Sequence, residues 1–390
     1  MNPFQIDIPV KVLFGAGQLN RLHEQALPGK KALIVISSGK STRANGYLDR
    51  TEKELAAAGA ATEVFAGIQA NPTLESVGKG AQAARAMGAD MIVALGGGSV
   101  MDAAKAIALM AVNEGNLWDY VGSGTGKGQK YAHRALPVIA ITTTAGTGSE
   151  VDATSVITNQ ETHEKIGLKF PDLYPCLAIV DPELMLTVPP RLTAFQGFDA
   201  LFHSLETYVN RKANLMSDMV ASTAIRNIGA FLPRAVAQGD DVEARTHMAF
   251  ANTLSGYAMV LGGCTSEHSL EHAMSAYHEA LPHGAGLIML SLAYFGWLAE
   301  HHVCDDRLVD LARFLGREDA SRPEDFLEAL ASLQKACGVD GLKMSEYGIT
   351  PEEFPKMAEN ATTAMKGLFL NDRMPLSRED CVAVYQKAYR

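Results

Sequence analysis

The 390-residue chain has no run of lysine or arginine, and its formal net charge is -10. An acidic protein without a basic patch is a poor fit for nonspecific nucleic-acid binding or for attraction to anionic lipid, so neither partner is expected. It also lacks a long hydrophobic run. The longest, residues 284–299, is interrupted by Ser291 and falls short of the ~20 residues that a membrane span requires; it reads as a buried helix. The start, Met1-Asn2-Pro3-Phe4-Gln5-Ile6-Asp7, has no basic segment followed by an apolar one, so no secretory signal is visible. Cysteine is sparse: Cys176, Cys264, Cys304, Cys337 and Cys381 are odd in number, scattered, and form no Cys-x-x-Cys knuckle. Free thiols in a reducing cytoplasm are expected, with no disulfide frame. A P-loop is absent too, because Gly39-Lys40-Ser41 has Ile34 where the first glycine is required.

What is present divides the chain in two. A hydrophobic content of 47% with 20% charged residues is ordinary for a globular protein, and the length predicts two domains. In the first half, Phe4, Ile6, Ile8, Val10, Val12 and Phe14 alternate as in a strand. Short apolar runs follow at 32–36, 91–95, 138–141 and 177–180, with helical patterns such as 74–87 and 99–112 between several of them. This predicts an α/β domain with a mainly parallel sheet over residues 1–189. After Thr187-Val188-Pro189-Pro190 the pattern is almost entirely helical, with helices expected near 193–210, 216–233, 242–260, 265–279, 284–300, 306–315, 324–337, 351–365 and 378–389. Residues 190–390 are therefore expected to form an all-α domain.

Two turns in the first half suit a nucleotide. Leu95-Gly96-Gly97-Gly98-Ser99 follows a buried strand and opens a helix, where glycines admit a phosphate and the helix N-terminus offers free N–H groups. Ser99 and Asp102 also have capping-box spacing, which is the purely structural alternative. A second turn, Ile141-Thr142-Thr143-Thr144-Ala145-Gly146-Thr147-Gly148-Ser149-Glu150, brings hydroxyls and small residues after another apolar strand. Neither is a Gly-x-Gly-x-x-Gly fingerprint. After the run 32–36 the chain continues Ser37-Ser38-Gly39-Lys40-Ser41, with no carboxylate to repel a ribose 2′-phosphate and one lysine to attract it. That favours NADP(H) over NAD(H).

The second half concentrates possible metal ligands. Asp199 and His203 are four apart, His268 and His272 are four apart, and His283 follows in Leu281-Pro282-His283-Gly284. A spacing of four puts two side chains on one helix face. Four of the 11 histidines fall between positions 268 and 283. An oxygen-plus-imidazole set suits Fe(II), Zn or Mn; separately hydrogen-bonded helix histidines are the alternative. Glu271, one position before His272, is expected to point off this stripe, toward water or a helix neighbour. Phe198, Phe202, Leu254, Tyr257 and Met259 line an apolar pocket or belong to the core.

Together these residues resemble the iron-containing (group III) alcohol dehydrogenase family. The likeness rests on Phe14-Gly15-Ala16-Gly17, on Gly96-Gly97-Gly98-Ser99 with Asp102 and Lys105, and on Thr143 through Glu150. It continues through Asp181-Pro182-Glu183-Leu184, Gly197-Phe198-Asp199-Ala200 with His203, and Pro282-His283-Gly284. It implies an N-terminal dinucleotide domain, a C-terminal helical domain and a cleft between them for a divalent metal, usually Fe(II). The implied ligands are Asp199, His203, His268 and His283, with His272 beside the substrate as the group that passes a proton. Implied cofactor contacts are Gly98, Ser99, Thr143, Thr144, Thr154, Lys165 and the stretch 184–188; Ser37, Gly39, Lys40, Gly97, Asp102 and Ser149 lie in or beside the same turns, as Leu184 and Val188 do in that stretch. His272 and His283 are one residue further apart than in the family's diol and ethanol reductases, which leaves the size of the substrate open.

The implied reaction is metal-dependent hydride transfer between a nicotinamide and a primary alcohol or aldehyde, in a homodimer or larger assembly. Three imidazoles and one carboxylate around a dication leave net +1, which retains Lewis acidity. Two rivals remain. His268-Ser269-Leu270-Glu271-His272 matches the inverted zinc-protease signature, but a peptidase does not explain the two nucleotide turns. A sugar-phosphate cyclase, which also uses NAD and metal, needs a basic pocket, and residues 197–215 offer only Arg211 and Lys212.

Overall fold

A computed structural model describes residues 2–390. They form two compact units, one comprising residues 7–144 and 148–187, the other the N-terminal segment up to Ile6, Ala145–Thr147 and Val188–Arg390.

The first unit is built on six parallel strands: β1 (Lys11–Phe14), β2 (Lys31–Ser37), β3 (Ala61–Ile68), β4 (Met91–Gly96), β5 (Val138–Thr142) and, after an antiparallel hairpin of β6 (Thr154–Asn159) and β7 (Glu164–Lys169), β8 (Leu177–Val180). Their order is β1-β8-β5-β4-β2-β3. The interior strands β4, β5 and β8 are buried at every position, which is why they appear in the sequence as continuous apolar runs. Connecting helices are α1 (Ser41–Ala44), α2 (Tyr47–Ala57), α3 (Leu74–Met87) and α4 (Gly98–Met110). The chain leaves β2 toward β3 and then places β4 on the other side of β2, so the strand order reverses there. Ligands of open α/β sheets bind beyond the carboxyl ends of the strands at such a reversal. The turns after β2 and β4 flank it.

The second unit is helical throughout: α5 (Pro190–Val209), α6 (Leu215–Ala237), α7 (Val242–Leu261), α8 (Ser266–Tyr277), α9 (His283–Glu300), α10 (Asp305–Phe314), α11 (Glu324–Ala336), α12 (Phe354–Ala364), α13 (Lys366–Phe369) and α14 (Arg378–Ala388). Helix α6 starts where Asn214 accepts from the N–H groups of Met216 and Ser217, and Ser217 returns a bond to the Asn214 N–H. It runs on through Pro233 instead of stopping there. Helix α9 is buried on nearly all sides, and no helix among the described residues is long and apolar enough to cross a membrane.

The expected strand from Phe4 to Phe14 is shorter than its alternation predicts. Only Lys11–Phe14 pairs, with β8, while Asn2 is tied by its side-chain amide to the carbonyls of Arg211 and Ala213 in the helical unit. Alternation identifies an extended backbone, but pairing requires a partner edge. Strand β3 and the β6–β7 hairpin carry no clear sequence signal. β3 is half-exposed along most of its length, and the hairpin turns at His163 (φ 51°) without an Asn-Gly or Asp-Gly pair.

Candidate functional site

In the helical unit the centre is Asp199, on α5. Its Oδ1 lies 3.7 Å from His203 Nε2, 3.7 Å from His268 Nε2 and 3.4 Å from His283 Nε2. His203 is one turn along the same helix, His268 is on α8, and His283 is the first residue of α9. Two glycines after His283 make this convergence possible. A Cβ at Gly284 would lie 2.1 Å from the Phe195 carbonyl oxygen of α5, and one at Gly286 would lie 2.7 Å from Glu271 Cγ of α8. Only a bare backbone lets α9 approach both helices this closely.

Two buried atoms of this cage, Asp199 Oδ1 and His268 Nε2, have no hydrogen-bond partner among the described residues, nor has His203 Nδ1, the other nitrogen of the ring whose Nε2 faces Asp199. Leaving such groups unpaired costs about 1–3 kcal/mol each, so the arrangement makes sense as a ligand set. The spacing agrees: donors ~2.1 Å from a tetrahedral ion stand ~3.4 Å apart. Asp199 with His268 and His283 forms one group able to hold an ion. His203, Cys264 and His268 form a second, and Glu271, His272 and His283 a third.

Electrostatics follow from burial. Desolvation opposes the Asp199 carboxylate, but the facing His203, His283 and His268 rings outweigh it and hold its pKa well below the usual range. Desolvation lowers His203 to about 4. His268 also feels desolvation, yet the neighbouring Glu206 and Cys264 raise it well above the ordinary imidazole value.

Two carboxylates behind the cage were not singled out by sequence reasoning as ligand partners. Glu206, fully buried on α5, accepts from His268 Nδ1 at 2.8 Å and from the N–H groups of Thr265 and His268, each at 3.0 Å. Glu271 is also fully buried, and accepts from His283 Nδ1 and from Ser275 Oγ. Of the two directions expected for Glu271, water or a helix neighbour, only the second is realised: one oxygen meets Ser275 on its own helix, and the other turns back to His283. Glu271 sits three residues after His268, a spacing that shares the face just as four does. A carboxylate accepting at Nδ1 fixes the tautomer and leaves Nε2 free to ligate. Glu271 has one oxygen on Ser275 and the other on His283, unlike a protease base aimed at water.

His272 lies beside the cage; its ring centroid is 5.3 Å from that of His283 and 6.3 Å from that of His268. Phe198 and Phe202 belong to the core and pack on each other at 5.9 Å. Arg211 and Lys212 are exposed, so the basic pocket needed by a cyclase is not formed by them.

In the sheet unit, α4 begins at Gly98, and its cap residue is Gly97, which has no side chain to cap it, so Ser99 is not the cap. The Ser99–Asp102 capping box is therefore not formed. Asp102 instead accepts from Ser149 Oγ at 2.7 Å and from the Val156 N–H at 3.0 Å, and burial pushes its carboxyl up to about 6. Lys105, fully buried, donates to Ser149 Oγ, Asp152 Oδ1 and the Thr154 carbonyl. This network staples the hairpin carrying Thr154 and Lys165 to α4. The Thr143 N–H reaches the Gly96 carbonyl at 3.0 Å, and a Cβ on Gly97 would meet the Thr144 side chain at 2.8 Å. The turns after β4 and β5 are thus in contact. Ser37 ends β2, and Gly39 and Lys40 follow it, both exposed. Leu184 is packed in the sheet core. Val188 falls in the helical unit, where its carbonyl accepts from Arg245 and Thr193.

The description "iron-containing alcohol dehydrogenase" matches residues 9–182, and the C-terminal part of the same family matches residues 193–389. The chain belongs to the iron-containing alcohol dehydrogenase family. It is 34% identical to a 1,3-propanediol dehydrogenase of Citrobacter freundii, covering 92% of each chain. It is 33% identical to an NAD-dependent methanol dehydrogenase of Bacillus methanolicus, over 91% of this chain and 92% of that one. Among solved structures, an archaeal halo-thermophilic alcohol dehydrogenase from a Red Sea brine pool superposes with a TM-score of 0.93 at 32% identity, covering 100% of this chain and 99% of the other. The NADH-dependent butanol dehydrogenase A of Thermotoga maritima gives 0.89 at 28% identity, covering 100% and 99%. Membership and the buried His/Asp cluster make the protein a metal-dependent, NAD(P)-linked oxidoreductase of the alcohol–aldehyde couple.

Proposed function

We propose that the chain interconverts a short primary alcohol and its aldehyde at a cation held by Asp199, His203, His268 and His283. The observation that carries this reading is the set of three Nε2 atoms around one carboxylate oxygen at 3.4–3.7 Å. Fe(II) is the assigned ion, with Zn or Mn able to substitute, since the donors are one oxygen and three imidazoles. When bound, the cation favours negative charge on the substrate oxygen while the nicotinamide exchanges hydride with the carbinol carbon.

The residues of the chain do the rest. Glu206 and Glu271 hold His268 and His283 in the tautomer that presents Nε2. His272, buried next to His283, accepts the hydroxyl proton and returns it in reduction. The first turn of α4, at Gly97, Gly98 and Ser99, binds the pyrophosphate, with Thr143 and Thr144 beside it. Thr154, Lys165 and the stretch 184–188 complete the cofactor site, and Asp102 and Ser149 position its wall. NADP(H) is the assigned cofactor, because β2 ends at Ser37 and Lys40 follows with no carboxylate between them. The relatives named for 1,3-propanediol, methanol and butanol support a short substrate. The protein is assigned to the cytoplasm as a homodimer or larger assembly.

The test is anaerobic preparation of metal-free protein, restoration with Fe(II), and assay of NADP(H) and NAD(H) against a panel of short alcohols and aldehydes. Activity should vanish on chelation and return with Fe(II). Full turnover in rigorously metal-free protein would overturn the reading.

A further inference from the structure

The cage has a sulfur side that the proposed reaction does not use. Cys264 precedes α8, and its sulfur lies within 4.8 Å of one nitrogen each of His203 and His268, which are themselves within that distance of one another. The cysteine is rigidly placed. Its carbonyl accepts from Asn371 Nδ2 at 2.8 Å, and the preceding Gly263 carbonyl accepts from Asn210 Nδ2 at 3.1 Å and Thr207 Oγ1 at 3.2 Å. Gly263 turns the chain there at φ 86°. Both histidines are buried, and His203 Nδ1 and His268 Nε2 have no hydrogen-bond partner among the described residues. The result is a fixed thiol beside two buried imidazoles, each of which has one nitrogen without a partner.

We propose that His203, Cys264 and His268 form a second position for a thiophilic divalent cation, which shares two imidazoles with the Asp199 cage and so excludes the ion held there. One sulfur and two imidazoles with a fourth position open is a donor set that selects Zn(II) or Cd(II) over Fe(II) or Mn(II). Tetrahedral ligands of such an ion stand ~3.5 Å apart, so the three side chains need only close up by side-chain rotation. On binding, the S–H bond of Cys264 breaks, a sulfur–metal bond forms, and the proton leaves to solvent. An ion in this position lies on the sulfur side, away from Asp199, and the enzyme carrying it is inactive. Discrimination against soft ions is then a property of Cys264. This rests on the proposed cage only for its effect on turnover; the binding of cadmium to sulfur does not depend on it.

The experiment titrates the metal-free full-length protein with Cd(II) and records the ultraviolet difference spectrum, with bound metal measured after gel filtration. A sulfur-to-cadmium charge-transfer band is expected in the wild type. It should be absent in Cys264→Ser and retained in Asp199→Asn, the variant that tests the oxygen side. In Fe(II)-supported assays, normalised to each variant's own rate, the Cd(II) or Zn(II) concentration that halves turnover should rise about tenfold or more in Cys264→Ser. Bound cadmium without the band in wild type, or the same band in Cys264→Ser, overturns the proposal. Because the wild-type spectrum needs no variant, poor folding of Cys264→Ser does not rescue it; Cys264→Ala then provides the comparison. Full Fe(II)-dependent turnover in Asp199→Asn would refute the cage and leave the sulfur result standing on its own.

Discussion

Glu271 offers the sharpest perturbation of the proposed metal centre. Its carboxylate is fully buried and bonded to His283 Nδ1 and Ser275 Oγ. Removing it takes away a restraint on the His283 ring, strips a charge-assisted hydrogen bond that raises the basicity of Nε2, and opens space beside Gly286. Loss of such an outer partner typically costs about 10–100-fold in metal affinity, or ~1.4–2.8 kcal/mol. Glu271→Ala should fall at the upper end. Glu271→Gln should fall at the lower end, because its amide oxygen still accepts from His283 and its amide nitrogen can donate to the Ser275 hydroxyl. Anaerobic titration of metal-free protein with Fe(II), read by calorimetry, measures the affinity. Turnover at saturating metal should stay within a few-fold in Glu271→Gln. A folded Glu271→Ala variant that binds Fe(II) as tightly as wild type would refute the reasoning and reduce Glu271 to packing. Glu271→Gln inactive with metal still bound, together with indifference to NADP(H), would favour the hydrolase instead.

Other expectations follow from the same geometry. His268→Ala should lose metal and activity together, whereas His272→Ala should keep the metal, slow turnover and shift its pH dependence; metal analysis beside a pH–rate profile separates the two, and metal loss from His272→Ala would remove the proton role. Asp372 is buried, and desolvation, only partly offset by Ser266 and Tyr294, pushes its carboxyl up to about 7. Native protein thus holds this proton where the unfolded chain, at ~3.9, has lost it, so stability falls as pH rises from about 4 to about 7 and the cost persists above. Asp372→Asn should raise Tm at pH 8, by up to about 4 kcal/mol of stability, and by less at pH 5; an equal shift at both would contradict this. Lys40→Ala should weaken NADP(H) relative to NAD(H), and a kinetic preference for NAD(H) that the substitution leaves unaltered would refute the assignment of the turn after β2.

The sheet and most helices were legible because burial and period are local properties. Strands β4, β5 and β8 are buried at every position and almost wholly apolar, and α5 to α9 carry the 3.6-residue pattern. What escaped was set by partners distant in sequence. Residues 4–10 alternate as a strand does, but no edge receives them. Asp102 and Ser99 have the spacing of a cap, but Ser149 and Val156 claim the carboxylate from more than forty residues away. Glu206 could have been found: Asp199, His203 and Glu206 are related as i, i+4 and i+7, one continuous helix face. Glu271 could have been found as well, three residues after His268. Both read as surface charges because carboxylates on helices usually are.

Those two residues change the charge balance at the centre. Three imidazoles and Asp199 around a dication give net +1, the value that the ligand residues alone suggest. Glu206 and Glu271, buried and hydrogen-bonded to two of those imidazoles, bring the whole buried set to net −1. With a cation in the proposed site, the outer carboxylates would trade Lewis acidity for affinity, making Nε2 of His268 and His283 better donors. An alcohol would give up its proton less readily at such a centre than at a cationic one, and a nearby base would be needed. In the proposed mechanism His272, whose ring centroid is 5.3 Å from that of His283, would be that base. Glu206→Gln, by restoring one unit of positive charge, should then weaken metal binding while making turnover at saturating metal less dependent on His272.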